Sequence, residues 1–459
     1  MALIVKMPAA AKHGLVLLVE RLAGDDDLAV GAAAIEVAEP ATAAVSTETP
    51  LPHPQAVPVS LGPINVPRVS PPTAELGQAD ATFSNSHVGE LPSSSADTPQ
   101  PVATLPQFDG HSLDGRRAGE RQRLALARGG TLESEAAVER GLRWLAVHQL
   151  RGGSWNFNHD LVCRGACRNT GSAASTTAAT GIVLLAFLGA GCSHQDGPYQ
   201  QTVRDALYYL GNCALATPHG GDLQQGSMYG QGLATLALCE AYAMTRDPAL
   251  ARVAAQALEF VIYAQDSRGG GWRYFPGQPG DTTVTGWQLM ALKAGQIAEL
   301  PVSPGTVAAT RRFLDGVQAE SGAFYGYQRP ARGATTTAVG LLCRMFLGWQ
   351  REHPALTHGA EWLAETGPAV DDMYFNYYAT AVLNHYGGQP WQSWNPRMRE
   401  QLIATQASSG HESGSWFFAG GQLVTAGRIV NTALAIMTLE VYYRYLPLYG
   451  DSALEDAFD

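Results

Sequence analysis

An acidic side chain does chemistry only where its surroundings hold or release a proton, so carboxylates set against apolar neighbours come first. Asp281 ends a Gly- and Pro-rich loop in "GQPGDTTVTGWQLMALKAG" (277–295), ahead of a helix that opens on threonines and continues apolar. There it is an N-cap, its carboxylate accepting backbone N–H bonds, or the acid of a reaction chamber. Asp371 and Asp372 precede "MYFNYYAT", whose Tyr374, Phe375, Tyr377 and Tyr378 form either a cation-stabilising wall or packing between helices. A third cluster offers metal ligands. Cys163 and Cys167 lie in "CRGACRNTG", with His159 before them and Cys192 and His194 of "CSHQDG" beyond the next helix. Zinc through Cys163 and Cys167, completed by His159, Cys192 or His194, is the one cofactor to weigh. A C-x3-C spacing departs from the paired C-x2-C of zinc sites. The alternatives are a disulfide, if the chain is exported, or two unpaired thiols.

The elements that must position these residues emerge from composition and repetition. The chain has 459 residues, 46% hydrophobic and 15% charged, with net charge −11. That suits a large core and excludes the clustered basic surface of a nucleic-acid binder. Lysine is confined to Lys6, Lys12 and Lys293. No stretch reaches the ~18 apolar residues of a membrane span. The run "GLVLLV", followed by Glu20 and Arg21, is shorter than the roughly 7–15 residues of a signal core, so a cytoplasmic location is expected. Cys213, Cys239 and Cys343 sit in apolar helical contexts, as small core residues do.

Residues 1–105, rich in Ala, Pro, Ser, Thr and Val, cannot bury enough apolar surface to offset ordering entropy and are expected to be disordered. Residues 106–130 read as a charged lead-in with one surface helix, and 450–459 as an acidic tail. Between them a pattern recurs. An amphipathic helix ends in Gln, a Gly-rich turn and Trp: Gln149 to Trp155, Gln265 to Trp272, and Gln406 to Trp416, with Gln318 leading to Phe324 and Tyr325 in a fourth copy. A more apolar, small-residue helix follows each time. Two weaker copies, "VRDALYYLGNC" before "MYGQGLATLALCEAYAMT" and "HGAEWLAE" before "MYFNYYATAVLNHYGG", bring the total to six hairpins. Their spacing of about 45–60 residues is that of a helical array. An open array needs polar caps at both ends. The last helix, "IVNTALAIMTLEVYYRY", is among the most apolar, so a closed ring with the second helices inside is predicted.

Gln-x3–6-Gly-x-Trp at the end of each first helix resembles the repeat of the terpenoid cyclase and protein prenyltransferase α/α-toroid superfamily, over residues 131–449. The ensemble looks like a bacterial subfamily named for its prenyltransferase and squalene oxidase repeats. The resemblance implies an all-α toroid whose inner helices gather their N-termini, and their partial positive charge, at one end of a central cavity. Squalene-type cyclases protonate an alkene with the middle Asp of Asp-x-Asp-Asp-Thr-Ala. On that pattern only the last Asp remains, as Asp281. Gly280 stands at the donor position and Gln278 at the first, which removes that chemistry. Prenyltransferase zinc sites need Asp, Cys and His. Here Tyr377 or Tyr378 occupies the His position, and no such triad assembles. The resemblance therefore implies an isoprenoid or other apolar guest. Asp281 and Asp372 would be the working carboxylates, and Tyr229, Trp287, Asp371, Tyr374, Tyr377, Tyr378 and Arg428 would contact the guest. The alternative is a non-catalytic scaffold toroid for a protein partner.

Overall fold

Helix periodicity decides the layers. The outer helices are α2 (Leu132–Val147), α5 (Gln200–Cys213), α7 (Pro248–Tyr263), α9 (Pro304–Val317), α11 (Pro354–Thr366) and α13 (Gly388–Thr405). Each buries one stripe. In α7 this is Ala254, Ala257, Leu258 and Val261, at the spacing of a single helix face. The inner helices are α4 (Thr176–Gly189), α6 (Met228–Thr245), α8 (Thr282–Ile297), α10 (Ala334–Phe346), α12 (Met373–Tyr386) and α14 (Gly427–Leu439). They are buried all round, so in α8 every residue from Thr282 to Gly295 is inside. This computed structural model describes residues 110–117 and 119–449. The expected tails at 1–105 and 450–459 lie outside the described residues.

Each inner helix packs on the next, α4 on α6, then α8, α10, α12 and α14, and α14 packs back on α4. The described residues therefore form a closed α/α toroid of six hairpins. Hydrogen bonds join neighbouring N-termini at one end. Thr177 N–H donates to Gln225, Tyr229 pairs with Thr283 at 2.9 Å, and Thr335 donates to Asp372 at 3.2 Å. The inner helices thus run the same way and form a single mouth. Two short strand pairs, β1 (Leu215–Thr217) with β2 (Gly220–Asp222) and β3 (Gln318–Ala319) with β4 (Phe324–Tyr325), only tighten loops at that mouth.

The repeat motif works as a three-way tie. The Gln Nε2 bonds a carbonyl of its own turn and another on the next outer helix: Gln149 to Gly153 and Thr202, Gln265 to Gly270 and Thr306. Gln406 bonds Gly414 and, closing the circle, Ala137 of α2, both at 2.8 Å. The fully buried Trp155, Trp272 and Trp416 donate from Nε1 back to Leu145, Val261 and Leu402 of the preceding outer helix. Their backbone N–H groups donate to Thr180, Thr285 and Thr432 of the inner helix, and Tyr325 N–H does the same to Thr337.

The lead-in carries the expected surface helix, anchored along one face. A 3-10 turn (Gly110–Arg116) and α1 (Glu120–Ala127) pack beneath the ring against α6 and α15 (Val441–Arg444). Arg116 is buried there because Glu240 of α6 holds it at 2.8 Å.

Candidate functional site

The mouth carries most of the residues singled out from the sequence. Asp281 is the N-cap of α8 and is fully buried. Its Oδ1 accepts from Val284 N–H and from the Thr283 hydroxyl, each at 2.8 Å. Its Oδ2 has no hydrogen-bond partner, and Arg273 Nε stands 3.8 Å away. Burial pushes this carboxyl above its ordinary range, against the Val284 N–H and Thr283 hydroxyl that hold it down. Thr283 passes the link to Tyr229 of α6, and Arg273 lies over the Tyr274 and Tyr327 rings. Trp287, one turn inward, stacks on Tyr377 at 5.8 Å and meets Tyr378 edge-on at 5.6 Å. Tyr374 sits 5.1 Å from Tyr378, and both hydroxyls are buried without a partner. Asp281, Tyr229, Trp287, Tyr374, Tyr377 and Tyr378 thus form one aromatic cluster built from α6, α8 and α12.

Three expected members stand apart. Asp372 caps α12, with Oδ1 accepting from Phe375 N–H and Oδ2 from Thr335. Asp371 is exposed. Arg428 is buried elsewhere. It donates to Arg168 O, Asn169 Oδ1 and Ser415 Oγ and pairs with Glu412 at 3.1 Å, where the first and last hairpins meet.

The axis also departs from expectation. Small residues on the inner helices were expected to leave a chamber. Large side chains of α8, α10 and α12 narrow the interior, where Met290, Leu342, Phe346 and Tyr377 line one small cavity and Trp287 stacks on Tyr377. This cavity is about 20 Å³, room for one water and not for an isoprenoid. Below it, at the C-terminal ends of the inner helices, Arg444 meets Glu240 at 3.3 Å and Glu440 at 3.2 Å. Lys293 Nζ lies 3.7 Å from the Phe346 ring centre and 4.5 Å from that of Tyr445.

A second constellation lies at the seam between hairpins one and six. His148 is the C-cap of α2, Cys163 ends α3 (Asp160–Cys163), Cys167 follows four residues on, and His411 belongs to the turn after α13. Cys167 Sγ is 3.5 Å from His148 Nε2 and 3.1 Å from His411 Nδ1. His159 Nδ1 is 3.3 Å from Cys163 Sγ. His148 Nδ1 bonds Trp144 O at 2.7 Å, which leaves Nε2 for the sulfur. Burial lowers the His148 imidazole to about 4. Burial and the adjacent Cys163 raise the Cys167 thiol to about 11. The expected completion by Cys192 or His194 does not occur, since His194 Nε2 bonds Asp247 at 2.8 Å. His148 and His411 take that place. Both lie in motif turns, of the first and the last repeat, which are neighbours only in a closed ring. That was the signal available to find them.

No protein-family model matches the chain, and no curated protein matches it. Among solved structures, an α-mannanase of glycoside hydrolase family 76 from Bacteroides thetaiotaomicron is 11% identical. That likeness spans 73% of this chain and 100% of that one, with a TM-score of 0.49. A type II terpene cyclase variant from Scytonema, bound to geranylgeranyl dihydroxybenzoate, is 12% identical over 68% of this chain and 98% of that one, with a TM-score of 0.48. No helix among the described residues is long and apolar enough to cross a membrane.

Proposed function

We propose that this toroid binds an apolar guest with one polar end, of isoprenoid type, at its mouth and not along its axis. One observation carries the reading. Asp281 Oδ2, Tyr374 Oη and Tyr378 Oη are buried polar atoms without hydrogen-bond partners in a single aromatic cluster. Unpaired buried groups cost about 1–3 kcal/mol each, and a hydroxyl or amine arriving on an apolar chain would satisfy them. The chain of the guest would rest on tyrosine faces and displace the Tyr374 and Tyr378 rings that close the cluster. Asp281 then orients the polar end.

A second reading rests on a different feature. Leu161, Leu215, Phe275, Val370 and Val424 are all more than half exposed, and all lie in the connections that lead from an outer helix to the next inner one, on the mouth side. Such a rim suits a protein partner of a scaffold toroid.

Titration with a C20 isoprenoid alcohol, followed by native mass spectrometry, separates the two. On the guest reading the alcohol binds one per chain. Asp281→Asn keeps the cap, shifts unfolding by less than about 1 kcal/mol, and weakens the alcohol by about tenfold, the scale of one lost bond to a charged group. No binding to either protein leaves the rim reading in possession.

A further inference from the structure

We propose that Cys163, Cys167, His148 and His411 bind one zinc ion that pins the closing seam of the ring. The donor set is a borderline-soft one, two thiols and two imidazoles, as structural zinc prefers. Its spacing fits. His148 Nε2, Cys167 Sγ and His411 Nδ1 lie within 4.8 Å of one another. Two donors sharing a tetrahedral zinc, with Zn–S near 2.3 Å and Zn–N near 2.0 Å, stand about 3.5 Å apart. The two sulfur–nitrogen distances here, 3.5 and 3.1 Å, are of that order. Cys163, which lies buried four residues before Cys167 and groups with His159 and Asp160 rather than with these three donors, would turn in as the fourth ligand.

The surroundings suit a metal as well as the donors do. His148 is held in one orientation by its Nδ1 bond to Trp144 O, the outer-shell device that fixes a ligating imidazole. The Trp144 indole donates to His411 O at 3.0 Å and holds the opposite loop in register. His159 Nδ1 backs Cys163 Sγ at 3.3 Å. His411 is exposed, so an ion has an entry path, while Cys163, Cys167 and His148 are buried. On binding, the two thiols lose their protons to solvent as two Zn–S bonds form. Two thiolates and two neutral imidazoles leave the site without net charge.

Four protein ligands close the coordination sphere, so the ion is structural. It would tie the loop after the first outer helix to the loop after the last, across the one junction in the ring that no chain connection spans. The test is metal analysis of the full chain purified without chelator, with cobalt titration of the chelator-stripped protein. We expect one zinc per chain and the sulfur-to-cobalt and intense visible bands of a tetrahedral site. His411→Ala changes an exposed loop residue, so it folds, and it should weaken the metal by more than about tenfold. Cys167→Ser should weaken the charge-transfer band to that of a single thiolate, Cys163→Ser with Cys167→Ser should abolish it, and His194→Ala should change nothing. The proposal is overturned by a metal-free full chain that gives no cobalt bands, by an intact mass showing a Cys163–Cys167 disulfide, or by unaltered affinity in His411→Ala.

Discussion

Trp272 and Asp281 face each other across a single backbone bridge, with Asp281 N–H donating to Trp272 O at 2.8 Å. Trp272 is fully buried and its indole N–H is satisfied by Val261 O. Replacing it by Ala empties a large volume and orphans that carbonyl, so Trp272→Ala should cost about 3–5 kcal/mol in urea unfolding. A loss below about 1 kcal/mol would mean that the tryptophan is not the staple of its hairpin. At this scale the sequence was readable where the chemistry is local. "GDTT" announces the N-cap, and the Asp281 carboxylate does cap α8. What it did not announce is the wall around the other oxygen. Tyr229, Tyr327 and Tyr374 come from three other hairpins, and a single sequence says nothing about which rings meet. Arg428 was misjudged for the same reason, since its partners Arg168 and Asn169 lie some 260 residues earlier in the chain.

Helices and turns were the most legible level, because the tie of Gln, Gly and Trp is written within one short segment each time. The glycine of that turn is compulsory on two counts. Gly270 has φ of 85°, and a Cβ there would lie 2.0 Å from Ala309 O on the next outer helix. Gly316, exposed inside α9, meets nothing within 4 Å. The two should respond oppositely to the same change. Gly270→Ala should destabilise by at least about 2 kcal/mol through strain and backbone collision. Gly316→Ala should stabilise by about 0.5–1 kcal/mol through helix propensity. Paired denaturant melts decide it, and equal effects would show that the turn is not held against α9. The lead-in was legible at this level as a surface helix, but not where it is anchored. "RRAGERQRLALARGG" has the composition of a surface helix, but Arg116 is drawn inside by Glu240, a residue on α6 that local pattern cannot reveal.

The whole ring is stitched at its lower end by a buried ionic cluster in which two glutamates compete for two arginines. Glu240 wins, with Arg116 and Arg444 both beside it and the Tyr445 hydroxyl bonded to it, and is held down to about 2 despite its burial. Glu440 has one 3.2 Å contact to Arg444, feels Arg121 and Arg116 more weakly, and is repelled by Glu135. Burial outweighs these attractions and raises it from 4.5 to about 8. Between those two values the folded chain holds a proton that the unfolded chain has released, so this group makes stability fall as pH rises. Asp281, also raised, adds in the same sense at lower pH. Lys293, lowered from 10.5 to about 7, adds the opposite slope only above that point. The buried imidazoles of His148, His159 and His385, all held below their ordinary range by burial, give the opposite slope up to about 6.5, so the Glu440 contribution is read by difference: Glu440→Gln, which keeps the contact to Arg444, should make the melting temperature climb more steeply, or fall less, from pH 5 to 7 than in the parent. An identical slope in the variant would assign the effect elsewhere. The Gln406 bond to Ala137 has a further consequence, for biosynthesis. It joins residues 269 positions apart, so on the ribosome the first hairpin must wait for the sixth. At about 5–20 residues per second, the apolar flanks of α2 and α4 stay bare for many seconds. A nascent chain arrested before α13 would present that surface permanently, and its fate is aggregation or a chaperone, not a smaller working ring.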